Sequence, residues 1–217
     1  MSRWPREAAI LEYYRRYLQE GMTAFDIGAN IGTHSIPMGL CVGRSGHVYS
    51  FEPDPDNLAL LRENIKLNLL DEVITIVPKA VSAESGSSRF WRDLASGATG
   101  TLKPQDENFG YHLWYGLPRC ISTVQTVTID DFMRIESSTP DLIKIDVEGA
   151  ELDVITGMHD LLTTSRPDII VDTPTPSVVE LLRGHGYIIC DLLDNCRCIS
   201  EEEDMPKAIV ARKVFST

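Results

Sequence analysis

The sequence predicts an α/β fold built on a doubly wound, mostly parallel sheet, and three observations carry that expectation. Short apolar runs alternate with amphipathic segments from residue 23 onward. That rhythm makes parallel strands joined by right-handed crossovers, with helices on both faces. The first run, Thr23–Ile27, opens into a turn with Gly28, Asn30 and Gly32 at every second position, where glycine lets backbone come close to a ligand. Acids close the runs: Asp26, Glu52, Asp146 with Glu148, and Asp172. Such sheets bind ligands outside those carboxyl ends.

Taken in order, apolar positions at Ala9, Ile10, Tyr13, Tyr14, Tyr17 and Leu18 predict an N-terminal helix that Gly21 ends (residues 1–21). Strand Thr23–Ile27 follows, then a helix over Ile31–Val42 that Pro37 kinks or displaces. His47–Phe51 is a second strand, PDPDN a turn and helix cap, Leu58–Leu70 a helix, and Val73–Val77 a third strand. Residues 82–130 interrupt the pattern as an insertion. Ser82–Arg92 reads as a β-hairpin arm turning at Glu84-Ser85-Gly86, and Asp93–Arg119 as a long loop holding Phe109, Tyr111, His112, Trp114 and Tyr115. Ile121–Ile129 alternates as a strand pairing with the arm, and Asp130–Ile135 is a short helix. Asp141–Val147 and Pro167–Asp172 are the fourth and fifth main strands, with helices at Leu152–Leu162 and Ser177–His185. Tyr187–Leu193 and Lys207–Val214 close the sheet as an antiparallel pair around Asp194-Asn195.

At 217 residues, 43% hydrophobic and 24% charged, the chain reads as a single globular domain, 1–217, with enough apolar content for a sizeable core. Its net charge of −12 argues against a duplex-wrapping or polybasic membrane surface, so no nucleic-acid partner is expected. No window approaches the ~20 apolar residues of a membrane span. Glu7, Glu12 and Glu20 among the N-terminal bases do not suit a signal peptide, and a cytoplasmic location is expected. The five cysteines read as reduced structural thiols. Cys190, Cys196 and Cys198 lack a fourth ligand for zinc.

The acids separate candidate ligands. A nicotinamide dinucleotide brings a pyrophosphate, which glycine amides favour and nearby carboxylates repel. The turn lacks the third glycine of G-x-G-x-x-G, and no Lys or Arg lies within Gly28–Gly32. S-adenosyl-L-methionine carries an ammonium and a sulfonium against one carboxylate, and suits an acidic rim better. Glu52 also stands about 20 residues beyond the turn, as an acid binding ribose hydroxyls would.

These motifs resemble the FkbM family of S-adenosylmethionine-dependent methyltransferases. The resemblance rests on FDIGANIGTHS, VYSFEPDPDNLALLRENIKLN, PKAVS, TVQTVTIDDF, DLIKIDVEGAELDVITG and RPDIIVD, spanning about Ala24 to Tyr187. It implies a class I, Rossmann-like methyltransferase fold and O-methylation of a hydroxyl on a sugar, glycan or natural product, with S-adenosyl-L-homocysteine as product. It further implies that Asp26, Gly28, Asn30 and Gly32 line the methionine part and that Glu52 with Pro53 takes the ribose. Ala80 and Val81 would lie near the adenine, and Asp146, Glu148 and Gly149 would floor the reacting end. Asp172-Thr173-Pro174 departs from the family pattern, and His34 stands where an aromatic is common.

Methyl transfer to an alcohol needs alignment and a group to receive the hydroxyl proton. Asp146 and Glu148 are the first candidates. His34 reads either as a base or as a helix-surface histidine. Lys144, in a strand expected to be buried, requires a carboxylate, and an ion pair with Asp146 or Glu151 is favoured over catalysis. A metal bridging Asp146, Glu148 and Asp172 is disfavoured, so none is expected. The alternative function is a catalytically silent S-adenosylmethionine-binding or interaction module.

Overall fold

The computed structural model describes residues 4–94, 97–103, 120–200 and 205–213. The loop aromatics Phe109, Tyr111, His112, Trp114 and Tyr115 lie outside them. Helix α1 (Trp4–Tyr17) leads into β1 (Thr23–Ile27), α2 (Ser35–Val42), β2 (His47–Phe51), α3 (Pro55–Leu67) and β3 (Ile74–Val77). After β4 (Ala80–Val81), β5 (Gly86–Arg92) and β6 (Cys120–Val127) come α4 (Ile129–Glu136) and β7 (Leu142–Ile145). The chain continues through α5 (Glu151–Thr156), α6 (His159–Thr164), β8 (Asp168–Asp172) and α7 (Pro176–Gly184). It closes with β9 (Tyr187–Asp191), β10 (Arg197–Cys198) and β11 (Ala208–Lys213).

The main sheet has eight strands in the order β10-β9-β11-β8-β7-β1-β2-β3. β1 pairs in parallel with both β2 and β7, so the winding direction reverses there. That reversal opens the crevice in which doubly wound sheets bind ligands. Alternate residues on each strand enter different cores. Phe25, Ile27, Ile143 and Ile145 pack with α4 to α7, whereas Ala24, Val48, Leu142 and Ile170 pack with α1, α2 and α3. Helix α3 shows the local logic: Asp54 caps it by accepting from Asp56 N at 2.9 Å, Pro55 opens it, and Leu58, Leu61 and Ile65 are buried.

Several expectations are corrected. The helix expected from Ile31 begins only at Ser35, placing Pro37 in its first turn, where proline is tolerated. The arm is not a hairpin of neighbouring strands. β6 lies between β4 and β5, parallel to the first and antiparallel to the second, in a separate three-stranded sheet. Its turn is instead pinned to α4, since Ser85 Oγ accepts from Thr128 N at 3.0 Å and donates to Asp131. The helix expected over Leu152–Leu162 divides into α5 and α6 at Gly157, where an added Cβ would lie 2.2 Å from Ser82 O. At the C-terminus the expected antiparallel pair forms between β9 and β11, but the Asp194-Asn195 turn leads into β10, and β11 also pairs antiparallel with β8.

Helix α1 runs along the face of the sheet and is fixed by polar contacts. Tyr13 Oη donates to Asp168 Oδ2 at 2.6 Å, Tyr17 Oη to Asp141 O at 3.2 Å, and Arg6 pairs with Asp172 at 3.0 Å. Its C-terminal turn therefore meets the starts of β7 and β8, and its N-terminal turn reaches their ligand-binding ends.

Candidate active site

A cleft of about 980 Å³, solvent at its mouth included, opens at the reversal between β1 and β7. Gly28, at φ +83°, forms its floor, and an added Cβ there would lie 1.9 Å from Asp146 O. Only glycine lets the two strand ends approach so closely. The turn is fastened to β2, with Gly28 N and Ala29 N both donating to Phe51 O, at 3.0 and 2.9 Å.

Glu52 shapes one end of the cleft. It is buried, and its two carboxylate oxygens accept from Asn30 N and Asp54 N, each at 2.8 Å. Burial pushes its pKa up to about 7 against the pull of those backbone donors. Oε1 also stands 3.5 Å from Asn57 Nδ2, whereas Oε2 keeps a second lone pair. Pro53, Ala80, Val81 and Phe90 supply the walls beside it. Gly97 O accepts from Asn30 Nδ2 at 2.7 Å and Asn57 Nδ2 at 2.9 Å, holding the segment after β5 over this end.

The other end is charged. Lys144, only 2% exposed, lies 3.4 Å from Asp146 and 3.8 Å from Asp26. Burial pushes the ammonium down in pKa, but Asp146, Asp26 and Asp172 together hold it above its ordinary value. Burial would raise Asp146, yet Lys144, His34 and Arg6 keep it below the usual carboxylate range. Glu148 lines the same end in the left-handed region, at φ +53°. His34 lines it too. Its Nε2 is 3.2 Å from Glu7 Oε2 and its Nδ1 is 3.1 Å from Tyr14 Oη. The expected partner of Lys144 was Asp146 or Glu151; the pairing is with Asp146 and Asp26, while Glu151 accepts from Gly149 N at 2.9 Å.

Of the residues expected to line the site, Gly28, Asn30, Glu52, Pro53, Ala80, Val81, Asp146, Glu148 and His34 do so. Asp26, Gly32 and Gly149 do not. Asp26 is fully buried behind the turn, where Ser35 Oγ donates to it at 2.6 Å and itself receives Ser50 Oγ at 2.8 Å. Gly32 faces α3, and an added Cβ would meet Leu61 Cδ1 at 2.8 Å. Asp172 is absent from the lining because Arg6 holds it against α1. Among the described residues, no group of three or more His, Cys, Asp or Glu side chains is arranged to hold a metal. No helix among them is long and apolar enough to cross a membrane. Sequence reasoning missed Glu7, Asn57 and Phe90. Glu7 is one of three acids in the first 20 residues, and no local signal sets it apart.

The chain resembles known proteins along most of its length. It is 31% identical over 160 residues to hexuronic acid methyltransferase AglP of Haloferax volcanii, covering 72% of this chain and 58% of that one. It is 31% identical over 150 residues to 2-O-methyltransferase NoeI of Sinorhizobium fredii, covering 65% and 59%. The chain thus spans somewhat over half the length of these relatives. Among solved structures, methyltransferase FkbM from Methylobacillus flagellatus superposes with a TM-score of 0.54 at 16% identity, over 93% of this chain and 50% of that one. The strand order matches the class I methyltransferase fold shared by such neighbours. The family profile described as Methyltransferase FkbM domain matches residues 26–196, from the acid that ends β1 to the turn before β10. The glycine turn, Glu52 and Asp146 all fall inside that stretch, and the chain belongs to the FkbM methyltransferase family.

Proposed function

We propose that the chain transfers a methyl group from S-adenosyl-L-methionine to a hydroxyl oxygen of a sugar, glycan or natural product. One observation carries the reading. The cleft pairs a close-packed glycine turn with a buried carboxylate, Glu52, held by backbone amides. A carboxylate held in that way keeps acceptor capacity, chiefly at Oε2, for a ribose hydroxyl. The remainder of the cleft fits the same ligand: apolar walls at Ala80, Val81 and Phe90 for adenine, and acids for a cationic tail. The two relatives named above, methyltransferases of a hexuronic acid and of a 2-O position, support an oxygen acceptor.

The bound donor supplies a methyl group on a sulfonium, which leaves with its bonding electrons as a neutral thioether. The chain's own part is alignment, exclusion of water and disposal of one proton. Asp146 and Glu148 stand where β7 opens into the cleft. Asp146, kept ionised by Lys144, is placed to receive the hydroxyl proton, while Glu148 orients the acceptor. Calorimetric titration with S-adenosylhomocysteine tests the reading, and micromolar binding is expected. No heat and no thermal shift at millimolar ligand would overturn it. Mass spectrometry of glycan and polyol mixtures incubated with the donor, searching for the gain of one methylene, then identifies the acceptor.

A further inference from the structure

We propose that α1 completes the donor site, and that Glu7 binds the ammonium group of the donor's amino-acid tail. This rests on the reading above. If adenosine lies at the Glu52 end, the tail falls at the end lined by Glu7, His34, Lys144 and Asp146. That end must satisfy an amino acid's two charges. The carboxylate suits the Thr33–His34 entry into α2, where backbone N–H groups and the helix dipole favour an anion. The ammonium needs an acid not already committed to a cation.

Three of the five nearby acids are committed to cations, and Glu148 is assigned above to the acceptor. Asp26 and Asp146 share Lys144, and Asp172 is held by Arg6 at 3.0 Å. Glu7 instead faces an imidazole. Tyr14 is fully buried, and burial keeps its hydroxyl protonated, raising its pKa well above the ordinary value. That hydroxyl lies 3.1 Å from His34 Nδ1, and His34 Nε2 lies 3.2 Å from Glu7 Oε2. Glu7 lines the cleft with its side chain 29% exposed, and its buried Oε2 has no hydrogen-bond partner among the described residues, which leaves an acceptor for an incoming ammonium. Glu7 also lies outside residues 26–196, so the segment shared with the family does not supply it.

The test compares S-adenosylhomocysteine with methylthioadenosine, which keeps the adenosine and thioether but lacks the amino-acid tail. Wild type and Glu7→Gln are titrated with both. The substitution is expected to weaken S-adenosylhomocysteine by about ten- to a hundredfold, the worth of a charged hydrogen bond. It should leave methylthioadenosine within about twofold. Unchanged affinity for S-adenosylhomocysteine overturns the proposal, and so does equal weakening of both ligands, which would report a collapsed wall. A deaminated S-adenosylhomocysteine titrated into wild type gives a measurement that needs no variant. It should bind more weakly than the parent by the same factor, and equal affinity overturns the proposal. A wild type that binds methylthioadenosine and S-adenosylhomocysteine equally well sinks the Glu7 assignment alone, whereas one that binds neither sinks the methyltransferase reading with it.

Discussion

The two strands that flank β1 end in acids of opposite character. Glu52, after β2, is held by two backbone amides, and burial lifts its pKa to about 7. Asp146, after β7, is 31% exposed, lies 3.4 Å from the Lys144 ammonium and is held below the ordinary range. Both stand at the mouth of one cleft. Backbone amides satisfy a carboxylate without neutralising it, so Glu52 keeps its capacity to accept hydrogen bonds from hydroxyls. An ammonium fixes the charge state instead, so Asp146 remains an anion at neutral pH. Residue type alone does not assign the roles; the neighbouring donors do.

The largest effect is expected from removing the cation at the β7 end. Lys144→Met leaves Asp26 fully buried with no counter-charge and should cost about 3–5 kcal/mol of stability, read as a lower urea midpoint. Loss of less than about 1 kcal/mol would mean that the pair is not what holds this end. Gly28→Ala comes next, because it forces a Cβ to 1.9 Å from Asp146 O at a φ of +83°. A cost of about 2–4 kcal/mol and loss of S-adenosylhomocysteine binding are expected. A variant that binds normally would show that the two strand ends can separate without consequence.

The β2 end was legible in the sequence and the β7 end only in part. Gly28, Asn30 and Glu52 lie within 25 residues, and their spacing follows from one strand, one turn and the next strand end. Lys144 was legible as a buried charge in an apolar strand, but only one of its two carboxylates was named. Its second partner, Asp26, lies across the ladder on β1 at a position that register alone determines. Glu7 and Arg6 were not legible, because they reach the site through the docking of α1 on the sheet. The family resemblance, carried over position by position, puts Asp26 and Gly32 on the cleft wall. Burial and the contact with Leu61 turn them inward.

Protonation offers a finer comparison of the two ends. A ligand that donates hydroxyls to Glu52 binds its ionised form, so affinity for S-adenosylhomocysteine should fall as pH drops below about 7. The limiting slope is about tenfold per pH unit, with a plateau above. Glu52→Ala should flatten the profile, and a wild-type profile already flat from pH 5.5 to 8.5 would remove Glu52 from the binding site. The effect on stability runs the other way. The folded pKa of about 7 lies above the unfolded 4.5, so the folded state binds more protons between those values. The contribution of Glu52 to stability therefore declines as pH rises from about 4.5 to 7. Asp146 is shifted downward, so its contribution is present above its unfolded pKa and lost on acidification through its folded value.

The smallest effect concerns how the Glu52 end is closed. Asn57 Nδ2 donates to Gly97 O at 2.9 Å and stands 3.5 Å from Glu52 Oε1, so one amide joins the covering segment to the acid. Asn30 Nδ2 reaches the same carbonyl at 2.7 Å, so Asn57→Ala leaves one of the two ties in place. A cost near 1 kcal/mol and a few-fold weaker binding of S-adenosylhomocysteine are expected. Loss of the donor also removes one influence that lowers the Glu52 pKa, so the midpoint of the pH–affinity profile should move upward. Weaker binding with an unmoved midpoint would separate the two duties, leaving Asn57 as a clasp on the segment after β5 with no influence on the acid beneath it.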